Sequence, residues 1–241
     1  MMKFVDISRI NYTFFTLSLQ RKRLSNNLTI FYEGVLFIMS YIQVLEYIGV
    51  FAFAVSGAIV AIKEEYDIFG IYILATVTAM GGGVLRDIVT NADVPYFFTA
   101  YSTIPFIFLG ATFAILLKGE VKYETLFTII DALGLAAFFV SAGYKAIENN
   151  YNFMLFIFVS SITGVGGGIL RDILTSNKPQ IFRHDVYCVA GIIGVIILWI
   201  LHSIVGMQTA QFISIITIIV IRMTCYFKKV NLPTVKLDVN Y

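Results

Sequence analysis

One motif, which joins three glycines to an adjacent arginine and aspartate, occurs twice in this chain. It spans 81–87 and returns 85 residues later at 166–172, as Gly-Gly-Gly-x-Leu-Arg-Asp in both places. Each copy lies inside an apolar stretch, where a helical glycine costs about 1 kcal/mol relative to alanine. Charged side chains in such a stretch are candidates for function, because burying a charge is unfavourable. The motif therefore points to a site inside an apolar structure.

The glycine triplets have two interpretations. In the first, small residues let neighbouring helices approach closely, as in membrane bundles. In the second, the helix kinks or unwinds, and its freed carbonyls face a water-filled cavity where they can coordinate a cation. Two triplets in corresponding halves favour a pore or binding site. The residues expected along it are Gly81, Gly82, Gly83, Gly166, Gly167, Gly168, Thr78 and Thr163.

The charged pairs are Arg86-Asp87 and Arg171-Asp172. Adjacent residues on a helix point about 100° apart. We therefore expect each charge to find its partner on another helix, with one pair serving each mouth of a central path. In the alternative, the arginines extend to the lipid headgroups. Arg222, in the last apolar stretch, is expected to extend in that way.

Two acids, Glu46 and Asp131, stand near the start of the first and fourth apolar stretches. The macrodipole favours an acid in the first turn of a helix, and this is a sufficient structural explanation. The same positions are compatible with cation recruitment at a vestibule. The sequence leaves both interpretations open.

The repeat extends well beyond the motif. The same offset aligns Gly49 with Gly134 and Ser56 with Ser141, and 17 of the 47 pairs between 44–90 and 129–175 are identical. Each copy contains three apolar stretches. Because three is odd, the second copy enters the membrane from the opposite side, an arrangement common in transport proteins.

Composition places the chain in a bilayer. It is 59% hydrophobic and 13% charged with a mean hydropathy of +0.85, whereas soluble domains are near 45–50% apolar and 25% charged. Backbone groups must be paired in lipid, so the spans should be helices. We predict an all-α integral membrane fold, with seven transmembrane helices as two inverted three-helix repeats plus a final helix. The predicted spans are 44–62, 68–90, 97–117, 125–145, 152–174, 186–205 and 208–227.

The predicted organisation begins with an N-terminal extension at 1–42. This extension is either an interfacial helix or the result of a mis-called start, because Met39 stands just before the first clear span. The first repeat covers 43–122 and the second 123–206, followed by the seventh helix at 207–227 and a tail at 228–241. Lys and Arg concentrate on one side of the membrane, with little beyond Lys145 on the other. The positive-inside rule then predicts an N-terminus outside and a cytoplasmic C-terminus.

Other classes of function are disfavoured. No nucleophile–base arrangement, metal-ligand cluster or nucleotide loop is legible, so we predict no enzyme, cofactor or metal site. A net charge of +2 is too small to indicate nucleic-acid binding. The expected surroundings are membrane lipid.

Glu46-Tyr-Ile-Gly49, the segment 53–58 and the two motifs resemble the prokaryotic trimeric intracellular cation (TRIC) channels, a domain also labelled a bacterial glycine transporter domain. The resemblance covers about residues 42–227. It implies a homotrimer in the bacterial cytoplasmic (inner) membrane, with a pore in each subunit beside glycine-kinked second and fifth helices, and passage of potassium. It also implies that the glycine triplets line the pore, with the Arg-Asp pairs as charged partners. The segment 94–98 departs from the family pattern because it lacks a basic residue, whereas the second copy retains Pro179 and Arg183.

Two functions therefore stay open. A potassium-permeable channel would replace part of the ion's hydration with carbonyls and hydroxyls near the triplets. A carrier for glycine or another small amino acid would use the same small residues to form a pocket at the membrane midplane. The sequence does not choose between them, because a pore and a small pocket need similar residues.

Overall fold

The computed structural model describes residues 41–92, 94–99, 101–117, 124–182 and 186–231, and every regular element in these ranges is helical. The chain divides into two compact units, Met1–Gln43 and Val44–Tyr241, and the contacts below lie within the second. Almost all of the predicted N-terminal extension, together with Arg183 and most of the tail, lies outside the described residues. The helices are α1 Tyr41–Lys63, α2 Ile68–Val89, α3 Ile104–Leu116, α4 Glu124–Glu148, α5 Phe153–Leu174, α6 Tyr187–Leu201 and α7 Met207–Lys228.

Equivalent residues begin and end the repeated helices. Asp67 accepts a hydrogen bond from the amide of Gly70 at the start of α2, and Asn152 accepts one from Leu155 at the start of α5. Such side chains satisfy the free amides of a first turn. After these helices, Asn91 and Ser176 take the left-handed conformation common at helix ends. The repeat therefore carries its helix boundaries as well as its motif.

Within the described ranges, five helices are long and apolar enough to cross a membrane: α1, α2, α4, α5 and α7. The other two are shorter than predicted, with 13 residues in α3 and 15 in α6, or roughly 20 Å each at 1.5 Å per residue. Two 3₁₀ turns, Tyr96–Phe98 and Tyr101–Thr103, precede α3. Pro105 lies in the first turn of α3. Because proline is tolerated there but not in a helix interior, the α-helix cannot run further back.

Helices α2 and α5 cross at the glycine triplets. A Cβ added to Gly82 would lie 2.1 Å from the carbonyl oxygen of Thr163, and one added to Gly167 would lie 2.0 Å from that of Thr78. The two contacts are exchanged by the 85-residue offset, as expected for a self-complementary interface. Gly81 and Gly166 belong to the same crossing. Only glycine permits this distance between backbones.

Of the kinking or unwinding expected at the triplets, unwinding is wrong for both helices, and a kink stays a prediction. α2 and α5 are α-helical from end to end, through Gly81–Gly83 and Gly166–Gly168. The first two glycines of each triplet serve close packing instead. The third differs, because a Cβ on Gly83 would meet nothing within 4 Å, and one on Gly168 would first meet the Tyr187 hydroxyl at 3.6 Å. Packing and open space are therefore divided within each triplet.

At other contacts between helices, phenylalanine rings pack directly against glycines. The ring of Phe53 on α1 occupies the position of a Cβ on Gly134, and that of Phe139 on α4 does the same at Gly164 and Gly191. Both rings are fully buried. Large apolar side chains on the outer faces remain exposed, including Phe69 on α2. Such extensive apolar surface is suited to lipid or to another protein.

Gly82→Ala is expected to lower the thermal unfolding midpoint in detergent micelles, since overpacking against a backbone carbonyl costs about 1–3 kcal/mol. Gly83→Ala is the matched control. It places the same methyl group in open space and should leave stability unchanged or raise it by up to about 1 kcal/mol. Equal loss in both variants would show that Gly82 does not define the crossing.

Candidate functional site

The first of two buried polar clusters surrounds Arg171 near the end of α5. The guanidinium donates from Nη1 to the Ser56 hydroxyl at 2.5 Å and lies 3.2 Å from Oδ1 of Asp131. Ser56 also donates to Asp131, at 3.2 Å. Helices α1, α4 and α5 each contribute one of these residues. Arg171 and Asp131 are each only 1% exposed, so the pair is sealed from solvent.

Each motif arginine also pairs with the aspartate beside it. Arg86 Nε donates to Asp87 at 2.8 Å, and Arg171 Nε donates to Asp172 at the same distance. The expectation that adjacent charges would not pair is therefore wrong, because the long arginine side chain folds back to reach its neighbour. The expected partner on another helix is present for Arg171, in Asp131. Its burial also excludes extension to the headgroups.

The other oxygen of each aspartate anchors the chain that follows. Asp87 Oδ2 accepts a hydrogen bond from the amide of Tyr96 at 2.7 Å, and Asp172 Oδ2 accepts one from that of Gln180 at 2.9 Å. Both amides belong to the first residue of a 3₁₀ turn. Each motif aspartate thus neutralises its arginine and fixes the following loop.

The two vestibule acids lie deeper than a first turn. Asp131 is the eighth residue of α4, and Glu46 is the sixth residue from the described start of α1. The macrodipole acts within about one turn of the helix end. The macrodipole explanation is therefore wrong for both, and each acid pairs with a cationic side chain instead. Asp131 faces Arg171, and Glu46 binds Lys145 of α4.

The second cluster surrounds this Glu46–Lys145 pair. The Lys145 ammonium also lies over the ring of Tyr96, 4.4 Å from its centroid, which is a cation–π contact. Partial burial, and then the Glu46 carboxylate, raise the pKa of the Tyr96 phenol above its ordinary value. The phenol therefore stays neutral at neutral pH, and the ring attracts the ammonium through its face.

Two adjacent cavities open at this cluster. The larger, about 370 Å³, is bounded by Lys145 and Asn149. The smaller, about 40 Å³, reaches inward to Gly83 and Thr163. The two share three wall residues, which are Arg86, Asp87 and Tyr96. The two cavities therefore lie next to each other, between one end of α4 and the crossing of α2 and α5.

The corresponding space beside Arg171, in the first cluster, is almost filled by side chains. A cavity of only about 10 Å³ lies there, bounded by Gly168, Arg171 and Tyr187. Arg222 of α7 is 2% exposed and stacks over the Tyr187 ring at 4.6 Å, so its expected extension to the headgroups is wrong. The two clusters share one polar plan, but the cavity beside Arg171 is much smaller than the two beside the Glu46–Lys145 pair.

The predicted site residues thus separate into groups. Five of them border the smaller cavity: Gly83, Thr163, Glu46, Arg86 and Asp87. The hydroxyls of Thr78 and Thr163 donate to carbonyls of their own helices, at 2.7 and 2.6 Å. These bonds use the hydroxyl protons and leave lone pairs on both oxygens.

Sequence reasoning missed several residues of the two clusters. Ser56 and Ser141 were visible as a matched pair in the repeat, but no role was assigned to them. Lys145 carried a signal of its own, as the isolated basic residue on the outer side of the predicted topology. The contacts of Tyr96 and Tyr187 had no signal, because they depend on loop geometry.

The fold and these clusters define a polytopic membrane protein built as two inverted three-helix repeats with a final helix. The family described as Glycine transporter matches residues 43–118 and 128–203, one match for each repeat. The chain belongs to this family.

Relatives and solved structures agree with that assignment. The UPF0126 membrane protein YvgT of Bacillus subtilis is 36% identical over 201 residues, covering 79% of this chain and 95% of that protein. The UPF0126 inner membrane protein YadS of Escherichia coli K12 is 30% identical, covering 81% and 97%. A solved TRIC cation channel has a TM-score of 0.75 at 29% identity, covering 82% of this chain and 98% of its own. The TRIC orthologue from Rhodobacter sphaeroides gives 0.74 at 26% identity, covering 78% and 98%.

The two acids provide a matched stability test. Asp131→Asn should destabilise the protein by about 3 kcal/mol, because it removes one partner of a sealed ion pair. Glu46→Gln should cost about 1 kcal/mol or less, because Lys145 can turn towards the open cavity. The measurement is the thermal unfolding midpoint in detergent micelles. Equal losses would contradict the difference in burial between the clusters.

Proposed function

We propose that this protein is a monovalent-cation channel, permeable to potassium, that assembles as a homotrimer with a separate path through each subunit. The observation that carries the proposal is the pair of adjacent cavities beside the α2–α5 crossing, in a chain that shares its fold with TRIC cation channels over most of its length. We further propose that it lies in the bacterial inner membrane with a cytoplasmic C-terminus.

The path would begin in the larger cavity, at the end of α4 that carries Lys145. A cation would pass Tyr96 and the neutralised Arg86–Asp87 pair and then meet the Glu46 carboxylate beside Gly83. The negative charge of the Glu46 carboxylate favours a cation that has lost part of its water. Continuation through the second repeat requires the Arg171 cluster to rearrange, because its side chains fill the corresponding space.

A carrier for glycine or another small amino acid is the second candidate. It is favoured by the mixed charge of the smaller cavity, where Glu46 could face an ammonium group and Arg86 a carboxylate. The volume of about 40 Å³ suits a solute of a few heavy atoms. A carrier would expose this pocket to the two membrane faces in turn.

Flux from reconstituted liposomes separates the two candidates. Purified protein is expected to release potassium down its gradient without saturation, and labelled glycine should not accumulate. Protein-free liposomes and liposomes containing heat-denatured protein are the controls. Saturable glycine uptake without potassium flux would overturn the channel and establish the carrier.

Gly83 tests the route itself. Gly83→Val places a branched side chain in the smaller cavity and should cut potassium flux about tenfold or more, a barrier increase of about 1.4 kcal/mol. Gly83→Ala is the graded control and should retain most of the flux. Both variants should elute with the wild-type oligomer in size-exclusion chromatography. Wild-type flux from Gly83→Val would exclude this cavity from the path.

A further inference from the structure

The repeat places the same three polar residues in both halves of the molecule. The offset of 85 relates Ser56 to Ser141 and Arg86 to Arg171, and it relates Glu46 to Asp131. Around Arg171, one residue of each related pair meets in one compact unit, with Ser56 coming from α1 of the first repeat. There a carboxylate and a hydroxyl together hold a guanidinium, with Arg171 Nη1 2.5 Å from Ser56 Oγ and 3.2 Å from Asp131 Oδ1.

In the first half the corresponding carboxylate and hydroxyl hold no guanidinium between them. Arg86 pairs with Asp87, with Nη2 2.7 Å from Oδ1, as Arg171 pairs with Asp172, but Arg86 makes no hydrogen bond to Glu46 or Ser141. Glu46, Ser141 and Gly83 border the cavity of about 40 Å³, on a scale where one water molecule needs about 10–15 Å³. The cavity therefore has room for a small solute beside the Glu46 and Ser141 side chains.

One substitution between the repeats accounts for much of this difference in space. The loop after the second motif is one residue shorter, so that Pro95 corresponds to Pro179 and Thr103 to Tyr187. Thr103 borders the open cavity, whereas Tyr187 borders its nearly filled counterpart. A phenol ring fills space that a threonine leaves free.

The chemistry of the open cavity suits a cation with N–H donors. Its carboxylate already attracts one, because Glu46 binds the Lys145 ammonium at the mouth. The Arg86 charge in the same wall is neutralised by Asp87. Phe97 and Phe138 add aromatic surface, which suits the flat and weakly hydrated guanidinium ion.

We propose that the first-repeat cavity binds a small guanidinium-type organic cation between the Glu46 carboxylate and the Ser141 hydroxyl. Asp131 of the second repeat and Ser56 of the first hold Nη1 of the Arg171 guanidinium in the same way. Lys145 is a tethered competitor whose ammonium occupies Glu46 when the cavity is empty. This site goes beyond the proposed channel function and does not depend on whether potassium crosses the protein.

The test is a titration of purified protein in detergent micelles with guanidinium chloride at millimolar, non-denaturing concentrations, at constant ionic strength, followed by calorimetry. Urea is the matched neutral probe, because it has the same flat shape without the charge. Guanidinium should bind the wild-type protein and urea should not. Lys145→Met should tighten guanidinium binding about tenfold, since it frees a charged hydrogen-bonding partner.

Two variants with different physical effects should remove the binding. Glu46→Gln removes the charge at constant shape, and Thr103→Tyr fills the cavity as Tyr187 fills its counterpart. The double variant Lys145→Met/Glu46→Gln should lose the gain seen in Lys145→Met. All variants are first compared with the wild type by size-exclusion chromatography.

Equal binding of urea and guanidinium would overturn the site, and so would unchanged guanidinium affinity in both Glu46→Gln and Thr103→Tyr. No liposome is used in this titration. Guanidinium binding in a protein that passes no potassium would therefore refute the channel and leave the site standing.

Discussion

Helices α2 and α5 approach until the Cβ position of Gly82 or Gly167 would overlap a carbonyl oxygen of the facing helix, at 2.1 and 2.0 Å. Membrane helices gain little from excluding water, so close van der Waals packing must hold them together. The crossing sets the position of both motifs. Because the repeats are inverted, the Arg-Asp pairs beyond the triplets lie towards opposite ends of the molecule, and each organises its own cluster.

The two clusters show how an inverted repeat produces an asymmetric structure. Both contain a serine, an acid, an arginine and an aspartate, and in both the aspartate anchors the next loop. The differences come from residues outside this shared set. Tyr187 and Arg222 close the second half, whereas Thr103 leaves the first half open and Lys145 places an extra cation at its mouth.

The errors of sequence reasoning came from treating helices one at a time. Three glycines in one helix suggest a weak point, yet α2 and α5 remain helical because each supports the other. Arg and Asp at adjacent positions diverge on a helical wheel, but arginine is long enough to return to its neighbour. The macrodipole explanation is wrong for Asp131, because this residue lies too far from the end of α4. Its charge is instead paired with Arg171 of α5.

The sequence alone determined the class of protein, the inverted repeat and the helix boundaries, apart from the start of α3 and the end of α6. These follow from local causes, namely apolar length, capping side chains and the odd number of spans in each repeat. The tertiary structure decided which glycines pack and which face a cavity, and which half is open. Those outcomes depend on the distance between helices and on side-chain volumes that meet only in the folded chain, as Thr103 and Tyr187 illustrate. A motif repeated in the sequence therefore acquires two different environments only after folding.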